Sequence, residues 1–328
     1  MLVGVRKRIF AAWNAFGEIK PRGFAYFVKS VLNPNEGNML AYVKNHISAM
    51  EADTDLGSRD RIFQRLGALG LDDFGEFLLS LPNPEFPRLS GILPRMASDQ
   101  VQLDWTGNSG LPLLKQTLNF VRSMSYSYTR ITGRSLDDAR ILDYGCGYGR
   151  IARLMYAFVG EAGLYGVDPW ERSIEICHED GFGENFRQSD YLPMSLPVDD
   201  RTFNLIYAFS VFTHLSERAT LTALAALRKV IARDGLLVIT IRPEEYWAHD
   251  VHAQGPEKDA LVKTHRDKGF AFRPHNRAAV DGDVTYGDTS FTLEWLKQAA
   301  PDWEIKATDR SLQDPLQRYI YLTPREAS

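Results

Sequence analysis

Between Ile141 and Leu154 the sequence reads Ile-Leu-Asp-Tyr-Gly-Cys-Gly-Tyr-Gly-Arg-Ile-Ala-Arg-Leu: an apolar run reaches Asp143, glycines follow at alternate positions 145, 147 and 149, and a helical pattern begins. Small residues at such a turn let a ligand approach the backbone. The spacing decides which ligand. A dinucleotide fingerprint, G-x-G-x-x-G, needs its third glycine at position 150, which is Arg. A phosphate-binding Walker loop needs a following Gly-Lys-Ser/Thr, and none is there. What remains is D-x-G-x-G-x-G. A second apolar run, Leu164 to Asp168, also ends in a carboxylate, a group that accepts two hydrogen bonds at once. Four of the seven histidines (His249, His252, His265, His275) fall between Pro243 and Asp288. His249 and His252 have no cysteine and no well-spaced third ligand beside them, so no metal site is expected.

In these features the chain resembles the class I S-adenosylmethionine-dependent methyltransferases, and the likeness extends in order along residues 102 to 242. Leu164-Tyr-Gly-Val-Asp168 corresponds to the strand whose terminal acid binds the ribose hydroxyls. Arg187-Gln-Ser-Asp190-Tyr191 resembles the third motif, where an acidic side chain meets the adenine amino group. Phe203 to Leu215 resembles the fourth strand with its exit loop, and Arg233-Asp-Gly-Leu-Leu-Val-Ile-Thr240 the turn into the fifth. The resemblance implies S-adenosyl-L-methionine as cofactor, held by Asp143, Gly145, Gly147, Gly149, Asp168, Trp170, Asp190, Tyr191 and Phe209. It implies methyl transfer as the activity. Many relatives carry an acid where this chain has Asn204, so no catalytic role passes to that position. His214, on the exit loop of strand four where ligands of open α/β sheets bind, is the first candidate for a general base. An ordinary imidazole pKa near 6.5 then gives a rate that rises through about pH 6 to 7. His249, His252, Tyr246 and Tyr286 rank below it. Asp104 to Gly110 either closes over the cofactor or starts a helix capped by Asn108 or Ser109.

To position these residues the resemblance requires an α/β fold: a Rossmann-like, mostly parallel sheet with an antiparallel C-terminal hairpin, preceded by a helical N-terminal region. The rhythm of the sequence agrees. Up to about residue 135 apolar residues recur three and four apart; beyond it short β-rich runs alternate with helical stretches. Strands are predicted at 139–144, 163–168, 185–188, 203–208 and 235–242, with a hairpin at 303–308 and 317–322. Pro82, Pro84 and Pro87 separate two helical groups. The expected organisation is a helical region over 1–100 and a cofactor-binding domain over 101–328. Residues 243–288, rich in charge and poor in periodicity, form an insertion of 46 residues, long enough to read as a mobile cover or wall for an acceptor.

Composition bounds the partners. The chain has 328 residues, 44% hydrophobic and 24% charged, which excludes disorder and fibrous classes. A net charge of −4 gives no reason to expect nucleic acid. The helical preface and the insertion favour a small-molecule or saccharide-like acceptor, or a homo-oligomer interface. No N-P-P-Tyr signature of nitrogen methylation is present, so transfer to oxygen leads; a binding module without turnover and a macromolecular acceptor are the alternatives. Arg6, Lys7, Arg8, Lys20, Arg22, Lys29 and Lys44 against Glu18 and Glu36 make the first 50 residues basic. Peripheral membrane contact there is less favoured than packing on the protein itself. Two cysteines, no apolar run of about 18 residues and no signal-peptide core predict a cytoplasmic protein.

Overall fold

A computed structural model describes residues 39–137 and 139–325. The chain forms two compact units, residues 1–46 and 47–328. The described part of the first is a 3-10 turn, Met39–Tyr42, and the start of helix Lys44–Ala52. Apart from Lys44, the basic residues of the first 50 lie outside the described residues.

In the second unit, short helices at Arg59–Gly67, Leu71–Leu79, Pro87–Ile92 and Asp99–Thr106 precede a long one, Gly110–Thr132 (α1). The proline-rich stretch lies between the second and third of these. α1 buries Leu113, Leu114, Thr117, Leu118, Val121, Met124 and Tyr128 along one stripe and stops at Gly133, whose φ of 72° is the left-handed conformation that glycine adopts freely. Ser109 occupies its N-cap position without making a side-chain cap bond. The earlier helices pack on the same core. Gly75 lets them approach closely: a Cβ added there would stand 3.1 Å from both Leu114 of α1 and Leu154, tighter than ordinary packing.

The main sheet has seven strands: β1 Ile141–Tyr144, β2 Leu164–Asp168, β3 Phe186–Gln188, β4 Phe203–Ala208, β5 Ile231–Ile241 and, late in the chain, β8 Trp303–Ser311 and β9 Asp314–Pro324. Their order is β3-β2-β1-β4-β5-β9-β8. The first five pair in parallel; β9 runs antiparallel to β5 and β8. Leu142, Val167, Ile206, Leu237 and Ile239 are fully buried at its centre, as expected of strands covered on both faces. Chain order reverses between β1 and β4, which opens a crevice at their carboxyl ends. The expected strands therefore match to within a few residues, with β5 beginning four residues early.

Residues 243–288 depart from the expected irregular cover. They contain helices Tyr246–His249 and Pro256–Lys268 (α2), then strand β6 Phe270–Pro274, which pairs antiparallel with β7 Gly287–Phe291 as a second sheet. α2 starts with proline at its first turn and ends at Gly269, φ 73°. Of its thirteen residues only Leu261 and His265 are buried, which is why no apolar period announced it.

Candidate functional site

The glycine loop leaves β1 with φ of +76°, +54° and +74° at Gly145, Gly147 and Gly149, a region that L side chains rarely enter. Its position is fixed from below: Gly145 N–H and Cys146 N–H both donate to Val167 O, at 2.7 and 3.1 Å. It is also fixed from the side. Val211, on the β4 exit loop, fills the space a Gly145 Cβ would need, and Phe182 would meet one on Gly149 at 2.5 Å. Above Gly147 lies Trp105, whose ring would meet an added Cβ at 3.3 Å and stacks on Trp170, centroids 4.7 Å apart and planes 21° off parallel.

Asp168 closes the end of β2. Its carboxylate accepts from Gly147 N–H (2.9 Å), Trp170 N–H (2.9 Å) and the Ser173 hydroxyl (2.8 Å). Of the roughly four acceptor positions of a carboxylate, three are thus engaged in shaping the loop. Burial pushes its pKa up, and those three bonds oppose the rise. Trp170 is 47% exposed, and Asp190 and Tyr191 are also exposed beyond β3. Asp143 and Phe209 sit differently. Asp143 is buried beneath the loop, where Tyr207 O–H donates to it at 3.0 Å and burial raises its pKa to about 8. Phe209 is buried against Phe120 of α1, with the Arg150 guanidinium 5.1 Å from its ring centre. Both are placed to support the loop from within.

On the other side of the crevice the β4 exit loop turns through Ser210 at φ +60°, pinned by a bond from its N–H to Thr240 Oγ1 (2.7 Å). His214 follows. Its Nδ1–H donates to Gly287 O at 2.7 Å, and Nε2 accepts from Arg242 Nη2 at 3.2 Å, a tautomer assigned from these partners. Burial, then the Arg242 charge, lower its pKa to about 4, so the imidazole is neutral at pH 7. Its ring stacks on Tyr286, centroids 5.0 Å apart and planes 5° off parallel.

A charged cluster that sequence reasoning missed lies beneath this pair. Asp288 of β7 is buried and accepts from Arg242 (2.8 Å), Tyr246 O–H (2.9 Å), Arg273 (2.8 Å) and His275 Nε2 (2.8 Å). Burial raises its pKa, but the bonds from His275 and Tyr246 and the Arg242 charge outweigh it and hold the carboxyl well below the usual range. The only sequence signal was the density of charge and histidine after β5. His275 and Tyr286 join this cluster. His249 and His252 are exposed and stand apart, and His265 is buried against Ser290 Oγ at 2.8 Å. Among the described residues no three His, Cys, Asp or Glu side chains are grouped to hold a metal ion.

The arrangement suits a nucleoside ligand bearing a ribose. Three glycines with positive φ open the backbone at the end of β1, a carboxylate ends β2, and exposed Trp170, Asp190 and Tyr191 flank it.

Residues 141–235 match a family model described as a methyltransferase domain. An uncharacterized methyltransferase of Schizosaccharomyces pombe is 27% identical over 151 residues, 41% of this chain and 53% of that protein. The chain thus spans about half the length of the curated relative it matches. Among solved structures, an S-adenosylmethionine-dependent methyltransferase from Clostridium acetobutylicum aligns with 64% of this chain and 91% of its own, at 10% identity and a TM-score of 0.43. Magnesium protoporphyrin IX methyltransferase from Synechocystis with bound SAH aligns with 68% and 92%, at 14% identity and 0.42.

Proposed function

We propose that this chain, whose residues 141–235 match a methyltransferase domain, is a class I S-adenosylmethionine-dependent methyltransferase that transfers a methyl group to an oxygen of a small-molecule or saccharide-like acceptor. The observation that carries this reading is the closure of the crevice opposite the glycine loop by the folded segment 243–291. Its strand β7 is bonded to the β4 exit loop through Gly287 N–H to His214 O (2.8 Å) and Thr289 N–H to Thr213 O (2.9 Å). A wall of that kind encloses a compact acceptor better than it presents a surface to a macromolecule.

Bound S-adenosylmethionine supplies a methyl group already activated by its sulfonium charge. The chain's own residues have to align and dehydrate, which for well-oriented reactants is worth about 7–11 kcal/mol of barrier. Gly145, Gly147 and Gly149 bring backbone against the ligand, Asp168 takes the ribose with its remaining acceptor capacity, and Asp190 with Tyr191 meets the adenine edge. Trp105 and Trp170 cover the loop. Asp143 and Phe209 hold the loop in shape.

His214 keeps its place beside the reacting end in a changed role. With Nε2 engaged by Arg242 and a pKa of about 4, it takes up no proton near neutrality and acts by fixing Arg242 and Tyr286. The rise in rate through pH 6 to 7 expected of a free imidazole base gives way to a flat profile. Transfer to oxygen rests on the missing nitrogen-methylation signature, and a cytoplasmic setting on the two free thiols, Cys146 and Cys177.

The test is a mass-spectrometric scan of a metabolite extract incubated with protein and S-adenosylmethionine. A compound that gains one methyl on oxygen supports the proposal; a methylated nitrogen overturns the oxygen assignment. Binding of S-adenosylhomocysteine without any turnover supports a binding module instead.

A further inference from the structure

We propose that Arg277, laid on Tyr286 at the mouth of the crevice, forms an anion subsite that anchors a carboxylate or phosphate group of the acceptor. The inference rests on the methyltransferase reading above and specifies its substrate class.

Three guanidiniums gather after β5 and around β6: Arg242, Arg273 and Arg277. The carboxylates facing them are Asp288, Asp250 and, beside Arg242, Asp314, and all three are spent: Asp314 is shared with Arg150 and accepts from Gln116 Nε2 at 2.7 Å. Asp288 already accepts four hydrogen bonds, two of them from Arg242 and Arg273. Asp250 accepts from His252 N–H (3.0 Å) and Ala253 N–H (3.3 Å) and lies 3.4 Å from Arg273 Nε. Arg242 uses its other donors on Thr213 O and His214 Nε2. Two further acids stand in the loop after β6, and both turn to the helix Glu217–Val230 and its cap: Asp281 pairs with Arg218 at 3.8 Å, and Asp283 accepts from Ser216 O–H at 2.5 Å. With His214 neutral and Arg150 set against Asp314, the three guanidiniums are left with Asp288 and Asp250, and Arg277 is the one left over. Among the described residues no carboxylate lies within ion-pair distance of it.

Its geometry is that of a receptor. Arg277 is exposed, with its guanidinium carbon 4.2 Å from the centre of the Tyr286 ring. Stacking occupies the flat face of a guanidinium and leaves its N–H edge free for a bidentate anion. Tyr286 ties this edge to the reacting end: its ring stacks on His214, its backbone bridges to Leu215, and the charge of Asp168 reaches it across the crevice. An acceptor held by its anion on Arg277 therefore lies along the wall that leads to the glycine loop.

The test splits a metabolite extract on an anion exchanger at pH 7 and incubates each fraction with the full-length protein and S-adenosylmethionine carrying a deuterated methyl. Label is expected in compounds of the retained fraction only. Arg277→Gln should lower that labelling at least tenfold at subsaturating acceptor, with Arg277→Lys in between, while calorimetric affinity for S-adenosylhomocysteine stays within twofold of wild type. Phosphatase treatment of the retained fraction separates the two anions: labelling lost identifies a phosphate, labelling kept a carboxylate. Label confined to the unretained fraction, undiminished labelling in Arg277→Gln, or tight S-adenosylhomocysteine binding with no label in the retained fraction overturns the subsite. Absence of S-adenosylhomocysteine binding by the wild type overturns the methyltransferase reading instead.

Discussion

Asp143 and His214 flank the crevice with pKa values displaced in opposite directions, to about 8 and about 4, and this gives the protein a distinctive stability profile. A carboxyl raised by burial stabilises the fold most below its unfolded value near 4 and loses that contribution as pH climbs through 8. An imidazole lowered to about 4 acts the other way: as pH falls from 6.5 toward 4, the unfolded chain takes up a proton that the folded one refuses. The two slopes oppose each other between about pH 4 and 6.5, and above that only Asp143 acts. Asp143→Asn should therefore flatten a fall in stability of on the order of 2 kcal/mol between pH 6.5 and 8, read by urea unfolding at each pH; an unchanged slope would mean that Asp143 is ionised in the fold. For the cofactor, Asp168→Ala should weaken S-adenosylmethionine binding by about 1.5–3 kcal/mol, the scale for bonds to a charged group, and by more than Asp190→Ala. Calorimetry on the folded variants ranks them. His214→Ala should slow transfer without adding any pH dependence between pH 6 and 8, and a wild-type rate that climbs through that range would restore the base role.

β1, β2 and β4 were legible as elements because each is a short apolar run, and buried parallel strands leave that mark in any sequence. β7 left none. Gly287-Asp-Thr-Ser-Phe291 is buried throughout, yet three of its five residues are polar. They are satisfied at long range: Thr289 O–H donates to Leu215 O at 2.6 Å, and Ser290 Oγ accepts from Trp247 Nε1 at 2.7 Å. Such pairings have no local signature. The consequence is a strand whose stability depends on a charge clip. Asp288→Ala leaves the Arg242 guanidinium without its ion-pair partner and Arg273 with Asp250 alone, and should cost about 3–5 kcal/mol, the range for breaking a buried pair from one side; a loss under 1 kcal/mol in denaturant unfolding would show that the clip relaxes into water. At the glycine loop, Gly145→Ala imposes strain and a collision with Val211, and adding Val211→Ala should return only the collision's share of the lost stability.

At the scale of the molecule, the segment after β5 changes character between sequence and structure. Length and charge suggested a cover or wall that could be shortened while cofactor affinity survived. Gly287 and Thr289 N–H donate to the β4 exit loop and Thr285 O accepts from Ser216 N–H just beyond it, which joins the segment to the loop that also props Gly145. Excision of residues 246–283 should accordingly lower both thermal stability and S-adenosylhomocysteine affinity; a truncated protein that binds as tightly as the whole would restore the detached cover. No helix among the described residues is long and apolar enough to cross a membrane. The tryptophans add a property of their own. Trp105 and Trp170, two of the six in the chain, lie ring against ring over Gly147. Indoles this close couple their electronic transitions, so the protein carries an optical signal at its glycine loop, a paired band in near-ultraviolet circular dichroism that Trp105→Phe should abolish. Occupation of the loop has to disturb that pair, and the entry of a ligand becomes visible without any label.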